Sequence, residues 1–406
     1  MSEAPTHVEA VRRDEADELA PYRSRFVIGP DPVAYLDGNS LGRLPKATVQ
    51  RLRRLVEQEW GVELIGGWAA GWMDLPTQVG DRLGSAVLGA APGQTVLADS
   101  TSVNLYKVLH TACALRPDRS EIVLDDANFP TDRFIVESVA AVRGLRVRWI
   151  TPDLDGGVGA GDLLPVLGPQ TAVVVLSQVD YRSGHLADLA ELTELAHRSG
   201  AVTVWDLCHS AGVVPVGLDA ARVDFAVGCT YKYLNAGPGA PAYLYVAQRH
   251  QAQAAQPIPG WFGARDVFAM GPAYEPAGDI RRMLSGTPHV TGVVAVDEGV
   301  RLVAEAGIER IAAKARGLTA MVVDLVDAWL VPHGASLASP REPARRGGHL
   351  TVRHPDARVV TEKLVAAGVV PDFRNPDLIR LGLSPLTTSY VEAWTALDVL
   401  RGIIAT

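Results

Sequence analysis

The sequence predicts an α/β protein in which a large domain, built on a mostly parallel β-sheet covered by helices, is followed by a smaller α+β domain. From about residue 90 onward, short apolar runs rich in valine and isoleucine alternate with longer helical patterns. These runs are apolar throughout, as expected of parallel strands that are buried on both faces. After about residue 290 the alternation ends, which indicates the second domain.

The strands of the large domain are predicted from four runs: Glu121–Leu124, Ala172–Gln178, Ala201–Asp206 and Phe225–Cys229. Between them lie helical segments such as Leu189–Arg198, in which leucine and alanine recur every three or four residues. For the smaller domain we expect a helical stretch at about Gly292–Leu330, strands at His349–Arg353 and Leu378–Leu383, and a helix at Ala357–Ala367.

These patterns predict three regions along the chain. Residues 1–45 form an N-terminal segment that packs with the small domain, residues 46–290 form the large domain, and residues 291–406 form the small domain. A chain of 406 residues is longer than a typical single domain, which agrees with two lobes.

The composition excludes several classes of protein. Hydrophobic residues make up 48% and charged residues 21% of the chain, as in an ordinary globular protein, and the net charge is −8. No run of lysine or arginine suits nucleic acid or an anionic membrane. The polar start Met1–Ala20 lacks a secretory signal, and no apolar run is long enough for a membrane span. Three cysteines without a C-x-x-C pair provide neither a disulfide framework nor a zinc site, so we expect a cytoplasmic protein without a bound metal.

Polar residues follow the predicted strands at the point where each strand ends. In sheets of this kind, ligands bind beyond the carboxyl ends of the strands, so these residues are the first candidates for a functional site. They are Asp125 and Asp126, Ser177 and Gln178, Asp206, and Thr230, Tyr231 and Lys232.

Asp206 and Lys232 suit the chemistry of pyridoxal phosphate (PLP). A carboxylate at a strand end can keep a pyridine nitrogen protonated, so that the ring accepts electrons from the α-carbon of a substrate. A nearby lysine in a partly desolvated site can hold the cofactor as a Schiff base. Taken singly, an aspartate such as Asp206 at a strand end is more often a helix cap, and a lone lysine such as Lys232 on a loop is usually just solvated.

The chain resembles the kynureninases over most of its length. These are PLP enzymes of the fold type I transferase architecture, which is shared with class V aminotransferases and cysteine desulfurases. The resemblance lies in segments that occur in family order from about Tyr35 to Leu383: Leu36–Gly42, Ser102–Leu105, Asn128–Asp132, Asp206–His209, Tyr231–Gly239, Gly260–Gly263 and Ser285–Pro288.

The resemblance implies a set of cofactor-binding residues. Lys232 would carry PLP, Asp206 would pair with its ring nitrogen, and Phe129 would stack on the ring. His209, Asp132 and Ser177 would lie near the ring. Thr101 and Ser102 would lie near the phosphate, at a helix start where an anion is favoured, and Tyr231 would also reach the phosphate. Trp261 and Thr287 would reach the phosphate from a partner subunit, which implies a homodimer with shared active sites.

The substrate side is implied in the same way. Arg380 would bind the α-carboxylate of an amino acid through two parallel hydrogen bonds, with Arg374 as a rival. Asn39, Ser40 and Trp68 would line the site, although Trp68 and Trp72 are equally compatible with core positions. The chain departs from the family at Ala264, where histidine is usual, and at Pro385–Thr388, which replaces a segment with tyrosine and asparagine. Both departures would affect the pocket that holds the aromatic ring of the substrate.

The implied reaction is hydrolytic Cβ–Cγ cleavage of L-kynurenine, or a ring-substituted relative, to an anthranilate and L-alanine, with Tyr231 as a proton donor or acceptor. One alternative is a cysteine desulfurase or another class V lyase or aminotransferase. The last cysteine, Cys229, belongs to a predicted strand end rather than a mobile loop, which counts against a desulfurase. A second alternative is a non-catalytic scaffold. The sequence leaves open the ring substitution, and whether the role is tryptophan catabolism or a biosynthetic pathway such as NAD formation.

Overall fold

The computed structural model describes residues 4–30 and 32–405. Its strands are β1 Ala34–Tyr35, β2 Thr95–Ala98, β3 Glu121–Asp125, β4 Arg146–Ile150, β5 Thr171–Ser177, β6 Val202–Asp206, β7 Phe225–Gly228, β8 Ala242–Val246, β9 Ser336–Leu337, β10 His349–Arg353, β11 Val369–Val370, β12 Asp372–Arg374 and β13 Leu378–Gly382. Its α-helices are α1 His7–Glu15, α2 Lys46–Arg54, α3 Leu75–Leu83, α4 Thr101–Ala114, α5 Pro130–Arg143, α6 Ala160–Leu163, α7 Leu189–Arg198, α8 Gln248–Gln251, α9 Val290–Ala306, α10 Ile308–Leu325, α11 Ala357–Ala366 and α12 Tyr390–Ile404.

The large sheet has seven strands in the order β2-β8-β7-β6-β5-β3-β4. Neighbouring strands from β4 to β7 run parallel, and β8 is antiparallel to both β7 and β2. The predicted α/β class with a mostly parallel sheet is confirmed. No helix in the described part of the chain is long and apolar enough to cross a membrane.

Both faces of this sheet are covered by apolar side chains. On β3, Ile122 and Val123 belong to different hydrophobic clusters, and Val173 and Val174 on β5 divide in the same way. Successive side chains of a strand point to opposite faces, so the two clusters lie on the two faces of the sheet. This arrangement explains why the predicted strands are apolar at every position rather than at alternate ones.

The C-terminal part contains a second, antiparallel sheet with the order β12-β13-β10-β9. The N-terminal segment packs with this part of the chain, since β1 pairs in parallel with β11 in a separate two-stranded sheet, and Ala34 and Leu36 are buried in the same hydrophobic cluster as α10 and α12. The predicted helical stretch Gly292–Leu330 is divided, because α9 ends at Ala306 and is followed by Gly307, whose φ of +82° lies in the left-handed region that glycine favours.

Candidate active site

The carboxyl ends of the central strands bring the predicted polar residues together. Ser177 ends β5 and Asp206 ends β6, and the two are paired in register. After β7 the chain turns through Lys232 to Asn235, whose backbone has a φ of +56° and whose N–H donates to the Lys232 carbonyl at 2.9 Å. Asparagine adopts this left-handed conformation more readily than most residues, so the turn that presents the lysine is locally encoded.

Lys232 lies against a buried histidine. Its Nζ is 3.1 Å from Nε2 of His209, which belongs to the turn after β6. Burial, together with the positive charge of Lys232, holds the pKa of His209 well below its usual range. His209 is therefore neutral and can accept a hydrogen bond from the amine.

Two carboxyl groups form the floor of the site. Asp206 Oδ1 accepts a hydrogen bond from the Cys208 N–H at 2.7 Å, which fixes its orientation at the end of β6. Asp132, in the first turn of α5, is buried beside it, and burial and the neighbouring Asp206 carboxylate raise the pKa of Asp132 far above its usual range. Burial and the neighbouring carboxylate thus both favour the protonated form of Asp132.

The N-terminus of α4 lies close to this floor. The hydroxyl of Ser100 caps the helix by accepting from the Val103 N–H, and Thr101 begins it, with Oγ1 3.8 Å from Cys208 Sγ. The preceding turn is held by Lys107, whose Nζ is fully buried and lies 2.6 Å from Asp99 Oδ2. The start of this 14-residue helix, with Thr101 and Ser102, offers free N–H groups and partial positive charge to a phosphate.

Asn128 links three of the predicted positions, a role that the sequence did not indicate. Its side-chain oxygen accepts from the Phe129 N–H at 2.7 Å and from the Ser177 hydroxyl at 3.2 Å, and its amide donates to Asp125 Oδ2 at 2.8 Å. Burial raises the pKa of Asp125 to about 7. The Phe129 ring is perpendicular to that of Tyr181, with 5.3 Å between their centroids.

Arg380 is the buried arginine of the site. Only 1% of its surface is exposed, and its guanidinium donates to the Tyr181 carbonyl at 2.7 Å and to Ser40 Oγ at 2.9 Å. It also pairs with Asp372, as does its rival Arg374, whose side chain remains 32% exposed. The structure therefore brings Ser40 to Arg380 and leaves Arg374 at the periphery.

Two buried residues lie next to β13, the strand that carries Arg380. Asn39 is fully buried against Gly382, where an added Cβ would come within 1.8 Å of Asn39 Oδ1. His349 is fully buried, and its ring centroid lies 5.4 Å from that of His209. Only the register of β10 against β13, which is not visible in the sequence, could have indicated this proximity.

Tyr231 precedes the lysine and is anchored by its carbonyl, which accepts from the Gly42 N–H at 2.8 Å. The neighbouring Cys229 and burial raise the pKa of Tyr231 above its usual range. Of the two roles predicted for this phenol, proton donor and proton acceptor, its chemistry here suits the donor.

Three predicted residues lie in other surroundings. Trp68 and Trp261 both contact Phe262, with ring centroids 6.1 Å and 5.1 Å away, and Thr287 lines a separate cavity of about 220 Å³ beside Asp99. Among the described residues, no hydrogen bond or ring contact joins these three to Lys232, Asp206 or Arg380. Trp68 is therefore a neighbour of the Gly260–Gly263 segment, which contains Trp261, and not of Ser40.

Known proteins resemble this chain in sequence and in fold. Residues 311–400 match the family model "Kynureninase C-terminal domain". The chain is 40% identical to kynureninase of Pseudomonas fluorescens over 98% of its own length and 95% of the relative, and 40% identical to kynureninase of Burkholderia pseudomallei over 99% and 96%.

Solved structures share the fold at lower identity. The apo cysteine desulfurase of Thermococcus onnurineus superposes with a TM-score of 0.79 at 19% identity, covering 92% of this chain and 94% of that one. A C-DES mutant with glycine covalently linked to its PLP cofactor superposes with a TM-score of 0.82 at 20% identity, covering 93% and 98%.

Proposed function

Because the chain belongs to the kynureninase family, we propose that it hydrolyses the Cβ–Cγ bond of L-kynurenine, or of a ring-substituted kynurenine, to an anthranilate and L-alanine. It is a PLP-dependent hydrolase that acts on a carbon–carbon bond. The observation that carries this conclusion is the nearly full-length identity to kynureninases described above, which covers every segment that forms the site.

The residues present fit PLP. Lys232 supplies the amine, Asp206 and Asp132 supply carboxyl groups on the floor, and the start of α4 supplies donors for the phosphate. Oδ2 of Asp132 is buried and has no partner within the described residues, as expected of an atom that faces a polar ligand group. When bound, PLP withdraws electrons from the substrate's α-carbon.

The side chains of this protein position the substrate and move its protons. Arg380 and Ser40 hold the α-carboxylate, and Asn39 lines the same side. Lys232 Nζ removes the proton from the α-carbon, with the neutral His209 Nε2 beside it as a hydrogen-bond partner. Tyr231, with its raised pKa, supplies a phenolic proton.

A homodimer with shared active sites is part of the proposal. The segment around Trp261 exposes large apolar side chains, including Phe268 at 67% and Met270 at 74% of their surface. An apolar patch of this kind is typical of a protein–protein contact, and it supports the role of Trp261 and Thr287 at the phosphate of the partner subunit. Trp68 packs on Phe262 and would reach the substrate site of the partner subunit across the same dimer contact.

The remaining assignments follow from the family and from the packing. The pairing of β1 with β11 supports an N-terminal segment of residues 1–45 that belongs with the small domain, residues 291–406, while residues 46–290 carry the large sheet. The free, buried cysteines support a cytoplasmic enzyme. In that compartment it would serve tryptophan catabolism through the kynurenine pathway, which can also feed NAD biosynthesis.

The experiment is a direct assay of purified protein supplied with PLP. L-Kynurenine should yield anthranilate, followed by its fluorescence, and 3-hydroxykynurenine should be consumed, followed by its absorbance. Both activities should vanish in Lys232→Ala. Sulfide release from L-cysteine, without turnover of either kynurenine, would contradict the proposal and favour a desulfurase.

A further inference from the structure

The side chains of His349 and Arg380 lie on the same face of the small sheet. β10 and β13 are antiparallel, with His349 opposite Gly382 and Thr351 opposite Arg380. Side chains alternate along a strand, so His349 and Arg380 are diagonal neighbours on one face. Because Gly382 has no side chain, Asn39 fills the position opposite His349.

His349 is enclosed by the residues that define the active site. Its ring contacts that of His209 at 5.4 Å between centroids, and His209 in turn lies 3.1 Å from Lys232 Nζ. The positive charges of Arg380 and Lys232 are both close enough to lower its pKa. The imidazole is therefore near the arginine that would hold a carboxylate and near the lysine that would react at the adjacent carbon.

The polar atoms in this position are buried and have no partner within the described residues. His349 is fully buried, and neither Nδ1 nor Nε2 makes a well-formed hydrogen bond within the described residues, although the backbone of Asp180 lies within reach of the ring. Nearby, both polar side-chain atoms of Asn39 and the hydroxyl of Tyr233 are also buried and without a hydrogen-bond partner within the described residues. A neutral imidazole has one donor and one acceptor, and leaving both unpaired in a protein interior is unfavourable, so this group of atoms indicates a polar ligand.

We propose that His349 is a substrate-binding residue, whose ring N–H donates to the α-carboxylate that Arg380 holds. The inference rests on the proposed function, because it takes an amino acid as the ligand. This additional donor directs the carboxylate into one orientation, and this orientation places the α-carbon next to Lys232.

The test compares two variants of similar size, His349→Gln and His349→Leu, in the PLP-loaded protein. The probe is L-alanine, whose binding is followed by the change in cofactor absorbance, so that no turnover is needed. His349→Leu should bind L-alanine about 10- to 100-fold more weakly than the wild type, the effect of one hydrogen bond to a charged group. His349→Gln, which keeps an N–H donor, should stay within about threefold.

His185→Leu is the matched control, because His185 is also a buried histidine but hydrogen-bonds Arg345 outside the site. It should bind L-alanine like the wild type. Wild-type affinity in His349→Leu would overturn the inference, and so would equal losses in the leucine and glutamine variants, which would assign the ring to packing. A wild-type protein that binds L-alanine but cleaves neither kynurenine would contradict the proposed function alone.

Discussion

Lys232 and His209 are in direct contact, with Nζ of the lysine 3.1 Å from Nε2 of the histidine. The resemblance had placed His209 near the cofactor ring, and the structure in addition makes it the partner of the amine. His209→Phe keeps a ring in the same space and removes the acceptor. We expect about a tenfold lower kcat, the effect of one hydrogen bond of about 1.4 kcal/mol, with the cofactor still bound. An unchanged kcat in steady-state kinetics would show that the contact has no role in turnover.

Arg380 and Arg374 can be separated by paired substitutions. Lysine preserves the charge but loses the two parallel hydrogen bonds of a guanidinium, so Arg380→Lys should raise the KM for L-kynurenine at least about tenfold. Arg374→Lys, at a side chain that is 32% exposed, should change it by less than about threefold. The reverse order of effects would move the carboxylate site to Arg374.

Tyr231→Phe tests the phenol as a proton donor. Because the pKa of Tyr231 is raised, the hydroxyl holds its proton over the whole physiological pH range and can donate it. Removing a general acid typically lowers kcat by about 10²–10⁴-fold. The cofactor absorbance of the variant serves as the control for an intact site, and full activity would exclude Tyr231 from proton transfer.

Asp125 should make stability depend on pH. Its pKa is about 7 in the folded protein, against an ordinary value of 3.8, so between these values the folded state keeps a proton that the unfolded state has lost. Stability therefore falls as pH rises from about 4 to about 7 and levels off above that. Each unit of pKa difference is worth about 1.4 kcal/mol, so the loss is on the order of 4 kcal/mol.

The comparison that isolates Asp125 is Asp125→Asn, which keeps an oxygen that can accept from Asn128. Urea unfolding at pH 4.5 and pH 7.5 should show a smaller loss of stability in the variant than in the wild type. Equal losses in the two proteins would contradict the assignment.

Asp224 should contribute strongly to stability far from the active site. The buried carboxylate accepts from His197, His250 and Arg249, each at 2.7 Å, and from the backbone and hydroxyl of Thr203. Asp224→Asn breaks the charged part of this network, and we expect a loss of about 3–5 kcal/mol in the free energy of unfolding. Asp327→Asn, which breaks the exposed pair with Arg341, should cost less than about 1 kcal/mol.

The parts of this site that could be predicted are those that depend on short, continuous segments of the sequence. The apolar run Ala201–Asp206 predicts a buried strand, found at Val202–Asp206, and its terminal aspartate marks the edge where ligands bind. Lys232 and Arg380 were found because their neighbouring residues resemble a family. Each of these signals needs only a few consecutive residues.

What could not be predicted depends on long-range pairing. His349 reaches His209 only because β10 pairs with β13 and the small sheet lies beside the carboxyl end of β6. Asn128 lies within a recognised segment, but its link to Ser177 joins residues 49 apart in the chain. The grouping of Trp68 with Phe262 likewise depends on a contact between distant segments, which residue type alone does not specify.

The contacts of Arg380 have a consequence for the thermodynamics of recognition. Its side chain is already immobilised by Asp372, Ser40 and the Tyr181 carbonyl, so the conformational entropy of a long, flexible arginine is lost during folding and not when substrate arrives. Substrate binding therefore needs little rearrangement of Arg380. The fixed position of this guanidinium favours amino acids, which carry a carboxylate, over amines that lack one.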